Sequence, residues 1–346
     1  MIMAKPVVTF GEIMLRLTPP HLERILQSPV FDASFGGGEA NVAVLLEGLG
    51  QPARYVTVLP SHHPVADACI ASLRGFGVDA SHVARGSGRM GIYYLETGAN
   101  QRASKVTYDR AASAIALAKP GDIAWALAFE GAGWFHITGI TPAISESAAA
   151  LALESVQTAR EMGLRISIDL NYRKNLWKWG KSAHEVMPEL VKFADVVVAN
   201  EEDVQKALGI QSDADVHSGK LDPAAYSALA GQVMSRFPNL KTLAITLRES
   251  YSASHNGWSA CLHNGENFFV SRRYDITHIV DRVGSGDSFA GGLIYGLQHL
   301  PTHAEALEFA VAASCLKHSI PGDFARLTLD DVNGLLKNGG SGRVQR

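Results

Sequence analysis

The chain has 346 residues, 47% hydrophobic and 19% charged, with a formal net charge of −3. That is ample for one sizeable α/β domain, and it lacks the basic surface expected of a nucleic-acid or anionic-membrane partner. No window approaches the roughly 18 apolar residues of a membrane span. The N-terminus runs into a strand without a signal-peptide layout, and Cys69, Cys261 and Cys315 are far apart and odd in number, all of which suggests a soluble cytoplasmic protein.

Residues 6–10 (PVVTF) are apolar and β-branched and predict a buried first strand. Residues 15–18 and 29–35 are short, polar-punctuated strands outside the main core. A helix is expected over 40–49, ended by Gly50, then a strand over 54–59 and a helix over 64–74. Residues 91–96 (GIYYLE) and 105–108 predict a hairpin. The early strands fall outside any α/β alternation, so a small β lid is expected within about 12–36 and 90–110. From about residue 120 the pattern is regular. Strands at 134–138, 165–170, 196–199 and 242–246 alternate with helices at 145–162, 183–193, 201–208 and 224–237, predicting a mostly parallel central sheet flanked by helices. Residues 252–271 resemble a β-meander, and helices follow at 304–318 and 329–336. One domain over 1–336 is expected, with a disordered tail over 337–346.

Gly86, Gly88 and Gly91 spell G-x-G-x-x-G but precede a strand, whereas a dinucleotide fingerprint opens a helix. There is no Walker A motif. The informative stretch is residues 281–300, DRVGSGDSFAGGLIYGLQHL. Gly284, Ser285 and Gly286 can turn sharply into a helix carrying Phe289, Leu293, Ile294 and Leu297 at helical spacing. A glycine-rich turn at a helix N-terminus binds anions through free N–H groups and the helix dipole. Asp287 is then either a helix cap or a base beside an anion.

This D-x-V-G-S-G-D-S-F run resembles the C-terminal signature of the ribokinase-like (PfkB) sugar kinases. Gly36 to Asn41 (GGGEAN) resemble that family's N-terminal glycine signature. The resemblance spans residues 6–336 and implies a ribokinase-like fold, ATP with Mg2+, and Asp287 as general base. It makes the N–H groups of Gly284, Ser285 and Gly286 donors to the transferring phosphoryl, and places Gly37 and Asn41 near the acceptor. Asp169 to Trp177 (DLNYRKNLW) look like the 2-dehydro-3-deoxygluconate (KDG) kinase branch, where the loop arginine, here Arg173, contacts substrate. Tyr93, Tyr108 and Arg110 match other substrate contacts of that branch. A substrate carboxylate suits guanidinium donors, which pair with it two-pronged.

Asp169 and Arg173 also lie at the carboxyl edge of a predicted parallel strand, where open α/β sheets bind ligands. Asn200 to Asp203 (NEED) resemble the family's N-x-x-E magnesium and phosphate motif. Asp203 stands at its fourth position, leaving open whether Glu202 or Asp203 faces the metal. By position, Thr246, Arg248 and Ser252, with Asn200, Gly284 and Gly286, would meet ATP, although a Gly-rich turn usual to the family is missing at Arg248–Glu249. Residues 312–324 resemble an adenine-side segment. The reading is an ATP-dependent sugar-acid kinase, a homo-oligomer through its lid. A neutral-sugar kinase is the alternative, and a non-catalytic nucleotide- or sugar-binding protein a remote one.

Overall fold

The computed structural model describes residues 4–211 and 223–339; residues 340–346 of the expected tail lie outside them. The chain opens on fully buried β1 (Val7–Phe10), then leaves the core for β2 (Met14–Thr18) and β3 (Asp32–Gly36). It returns through α1 (Gly38–Gly48), β4 (Ala53–Val56), β5 (Val58–Pro60), α2 (Pro64–Gly75) and β6 (Ala84–Gly86). The hairpin β7 (Ile92–Glu96) and β8 (Lys105–Asp109) follows, then short α3 (Ala114–Leu117) and α4 (Trp125–Ala128).

The alternating half comprises β9 (Trp134–Thr138), α5 (Ile140–Ile144), α6 (Glu146–Glu161), β10 (Arg165–Asp169), α7 (Ala183–Val191), β11 (Val196–Asn200), α8 (Glu201–Leu208) and α9 (Pro223–Arg236). Then come β12 (Thr242–Ser252), β13 (His255–His263), β14 (Phe268–Val270), β15 (Tyr274–Ile276), α10 (Ser285–His299), α11 (His303–Lys317) and α12 (Leu329–Asn338).

Among the described residues the main sheet has nine strands in the order β14-β13-β12-β11-β10-β9-β1-β4, with β15 on β13. From β4 to β12 all pairs are parallel, and β12 to β15 are antiparallel. Buried parallel strands need apolar side chains on both faces. Accordingly Val196 and Val198 of β11 join α1, α10 and α11 on one side, while Val197 and Ala199 join α6, α7 and α9 on the other. Helix α10 packs closely because it carries glycines: a Cβ at Gly296 would lie 2.7 Å from Ala306 Cα of α11, and one at Gly291 3.0 Å from Leu45 of α1. A separate four-stranded sheet, β3-β2-β7-β8, supplies the predicted lid.

Three expectations are corrected. The run 54–59 is two strands in different sheets, because the chain leaves the main sheet at Thr57 and β5 pairs with β6. The polar residues 247–252 continue β12, held by pairing with β13, where the strand was expected to end at Thr246. Helix α12 runs through Asn338, beyond 336. Helices α3, α4 and α5 are four or five residues each, too short to show periodicity in sequence. The Gly86–Gly91 run joins two strands and opens no helix.

Candidate active site

A cavity of about 570 Å³ lies between the lid sheet and the carboxyl edge of the main sheet. One wall is the turn into α10. Gly284 sits at φ +83°, the left-handed region, and a Cβ there would lie 2.3 Å from the Asp323 carbonyl, so only glycine fits. A Cβ at Gly286 would meet nothing within 4 Å. The first-turn N–H groups have no intrahelical acceptor, although that of Ser285 donates weakly to the Arg282 carbonyl at 3.3 Å.

Asp287 is half-buried beside this turn. Its carboxylate accepts from Asn41 Nδ2 at 2.6 Å, tying α10 to the N-terminus of α1. The helix-cap alternative is not what is built. Desolvation pushes the Asp287 carboxyl up to about 6, opposed by the Asn41 hydrogen bond and, less strongly, by Arg173 and Lys317. A carboxylate with this pKa, open to a cavity, can accept a proton near neutral pH.

Below the turn lies a buried charge cluster that the sequence did not disclose. Arg16 of β2 pairs with Asp281 at 2.5 Å and Asp323 at 2.6 Å. Tyr93 donates to Asp323 at 2.5 Å, so its hydroxyl is engaged from behind although the ring lines the cavity. Lys317 is wholly buried. Asp281 opens the D-x-V-G-S-G-D run, and Lys317 and Asp323 lie in the segment 312–324. That segment therefore also supports the turn.

Tyr108, Arg110 and Arg173 also line the cavity. Arg110 is buried and ion-paired with Glu12, which follows β1 at the sheet edge and was not anticipated. Arg173 is exposed. Its guanidinium donates to the Tyr172 carbonyl at 3.1 Å and has no carboxylate within ion-pair distance among the described residues. Asp169 is pushed well above the usual carboxylate range by desolvation, then by Asp203 and Asp287, while Arg173 opposes the rise. Asn171 follows at φ +37°, a left-handed conformation that Asn tolerates. Gly37 also lines the cavity, but a Cβ there would lie 2.1 Å from the Glu12 carbonyl. Packing on Glu12, not an opening for ligand, requires that glycine.

At the far end, Asn200 and Asp203 form a capping box for α8, and Asp203 also accepts from the Tyr172 N–H at 3.0 Å. Burial pushes the Asp203 carboxyl up to about 6. Glu202 lines the cavity with an exposed side chain. Among the described residues no group of three or more His, Cys, Asp or Glu gathers around a metal position. Thr246 and Arg248 line the cavity, Arg248 over the Trp258 ring at 5.0 Å. Ser252 does not line it. Its backbone carbonyl accepts from Arg282 at 3.2 Å, because β12 carries it past the cavity edge. No helix among the described residues is long and apolar enough to cross a membrane.

Comparison with known proteins places the chain in a family. The model of the pfkB family carbohydrate kinases matches residues 4–324. The chain is 33% identical over 340 residues to the 2-dehydro-3-deoxygalactonokinase of Haloferax volcanii, covering 98% of this chain and 99% of the relative. It is 26% identical to Fructokinase-1 of Zea mays, covering 90% of each. The crystal structure of 2-dehydro-3-deoxygluconokinase from Thermotoga maritima superposes with a TM-score of 0.90 at 47% identity, covering 97% of this chain and 99% of the other. The chain belongs to the pfkB family of carbohydrate kinases.

Proposed function

We propose that this protein is an ATP-dependent sugar-acid kinase that phosphorylates the terminal hydroxyl of 2-dehydro-3-deoxygluconate. The observation that carries the reading is the pairing, within one cavity, of Asp287 at an anion-binding turn with Arg173, an exposed cation with no carboxylate within ion-pair distance among the described residues. A neutral sugar has no charge to offer that arginine; a sugar acid does. The names of the Haloferax and Thermotoga relatives support the same acceptor class.

Asp287, held by Asn41, accepts the proton of the acceptor hydroxyl. The turn from Gly284 to Gly286 presents N–H groups to the transferring phosphoryl, so catalysis rests on position and electrostatics. Arg173 grips the acceptor carboxylate, with Arg110 and Tyr108 beside it. ATP extends toward Asn200, Thr246 and Arg248. Both Asp203 oxygens already accept backbone N–H groups, so Glu202 is the acid that fits magnesium arriving with the ATP phosphates. The ion would supply charge neutralisation on those phosphates. The absence of disulfides at the three cysteines suits a cytoplasmic enzyme, and the exposed lid strand β8 suits assembly into a homo-oligomer.

The test is ADP release by wild type with 2-dehydro-3-deoxygluconate, its galactonate epimer and fructose. The acids should be the better substrates. A preference for fructose would replace this reading with a neutral-sugar kinase, and no turnover of any sugar would favour a binding protein.

A further inference from the structure

Lys317, the last residue of α11, is a wholly buried ammonium with no role in the chemistry described so far. Its Nζ donates to the Ile320 carbonyl at 3.0 Å and to the Asp281 carbonyl at 3.4 Å. The first acceptor lies just past the end of α11, and the second opens the run into the Gly284 turn. A Cβ at Gly284 would lie 3.4 Å from Lys317 Cε, so the lysine stem lies directly beneath the turn. One helical turn earlier, Ser314 donates to the Ser285 carbonyl at 2.7 Å. Helix α11 thus reaches the turn from below through two side chains.

The charges there balance. Arg16 and Lys317 stand against Asp281 and Asp323, all four buried. Asp281 is further held by the N–H groups of Val283 at 3.0 Å and Gly322 at 3.1 Å. Asp323 lies on the cavity wall as well. Without Lys317 the cluster would carry one net negative charge directly behind the surface that meets phosphate. Buried charges left uncompensated act strongly on their neighbours.

We propose that Lys317 is a positioning residue for phosphoryl transfer, holding the Gly284–Gly286 turn from beneath and cancelling the negative charge that Asp281 and Asp323 would otherwise present to the nucleotide. The inference rests on the reading that ATP phosphates meet this turn. Its residues lie far apart in sequence, with Arg16 and Asp323 separated by 307 positions, and only the folded chain brings them together.

The experiment is calorimetric binding of magnesium adenylyl imidodiphosphate to wild type and three variants, each checked for folding by thermal melting. Lys317→Met keeps the unbranched length and removes the charge. It should weaken binding by about tenfold or more through like-charge repulsion. Asp323→Asn keeps an oxygen for Arg16 and Tyr93 and leaves the cluster one charge positive, so binding should tighten by about threefold. The double variant Lys317→Met with Asp323→Asn restores neutrality and should return to within about threefold of wild type. A lysine serving only to fill space would show no such recovery.

Binding by Lys317→Met within twofold of wild type, a double variant as weak as the single, or weaker binding by Asp323→Asn would each overturn the inference while leaving the kinase reading intact. If Lys317→Met does not fold, Asp323→Asn alone decides. Failure of wild type to bind the nucleotide would overturn both.

Discussion

Asp287 and Arg173 line one cavity, yet their surroundings are opposites. Asp287 is fixed by Asn41 from another helix and backed by Arg16, Asp281, Asp323 and Lys317, whose partners lie within the protein. Arg173 stands exposed on the loop after β10, bonded to the carbonyl of its own neighbour. Arg110 lies between these extremes, buried and paired with Glu12. The difference suggests a division of labour. The end proposed to handle phosphate is preorganised, as electrostatic catalysis requires. The end proposed to select the acceptor keeps an exposed cation outside any ion pair among the described residues.

Breaking the preorganised end should cost most. Asp287→Asn can still accept from Asn41, so the fold and ATP affinity should persist while kcat falls by roughly 10²–10⁴, the usual worth of a positioned base. A kcat within a factor of a few of wild type would reduce Asp287 to a structural group. The same residue sets a pH limb. Desolvation holds its carboxyl at about 6. The groups facing it are Asn41, Asp169, Asp323, Arg173 and Lys317. Because the base works ionised, kcat/KM should fall as pH drops through 6, by about tenfold per unit below it. An unperturbed aspartate would move that limb to near 4. The limb should vanish in Asp287→Asn.

Next in size is Gly286→Val. Open space at that position spares the fold, but the added side chain projects where phosphate approaches the N–H groups. Turnover should drop by roughly 10²-fold, comparable to losing one oxyanion donor, with the melting temperature little changed. Unaltered ATP kinetics in the purified variant would remove the turn from the nucleotide site.

The smallest effect should come from Glu12→Gln. It leaves a neutral acceptor beside Arg110 and loosens that arginine's placement. KM for the sugar acid should rise about threefold, in the range of one weakened hydrogen bond to a charge, with kcat unchanged. A rise as large as that from losing Arg173 would mean that the paired arginine, not the exposed one, governs acceptor binding.

These two ends were also unequally legible. The turn and Asp287 could be read because anion-site chemistry is local: glycines, a helix start and an acid within four residues. Asn41 was found through the GGGEAN run, yet its bond to Asp287, 246 positions away, follows only from α1 packing against α10. Arg16, Glu12 and Lys317 were invisible as site residues. An arginine inside an apolar strand and a lysine ending a helix have ordinary surface explanations until their distant partners are placed. The continuous run at 54–59 hid a change of sheet at Thr57. The polar residues after Thr246 hid the continuation of that strand, which cross-strand pairing with β13 carries to Ser252, past the cavity edge. Glu202 and Asp203 were left as alternatives because the sequence does not show that Asp203 closes a capping box, each of its oxygens accepting a backbone N–H, while Glu202 stands exposed on the cavity wall.

If Arg173 makes this carbohydrate kinase selective for an acid, Arg173→Ala should show it most directly. The measurement is kcat/KM for 2-dehydro-3-deoxygluconate relative to fructose, in wild type and variant, by coupled ADP release. Wild type should prefer the acid, and the variant should lose about 10–100-fold of that preference, the worth of a hydrogen-bonded charge, with KM for ATP nearly unchanged. A wild type that prefers fructose, or a variant whose preference for the acid is undiminished, would contradict the account.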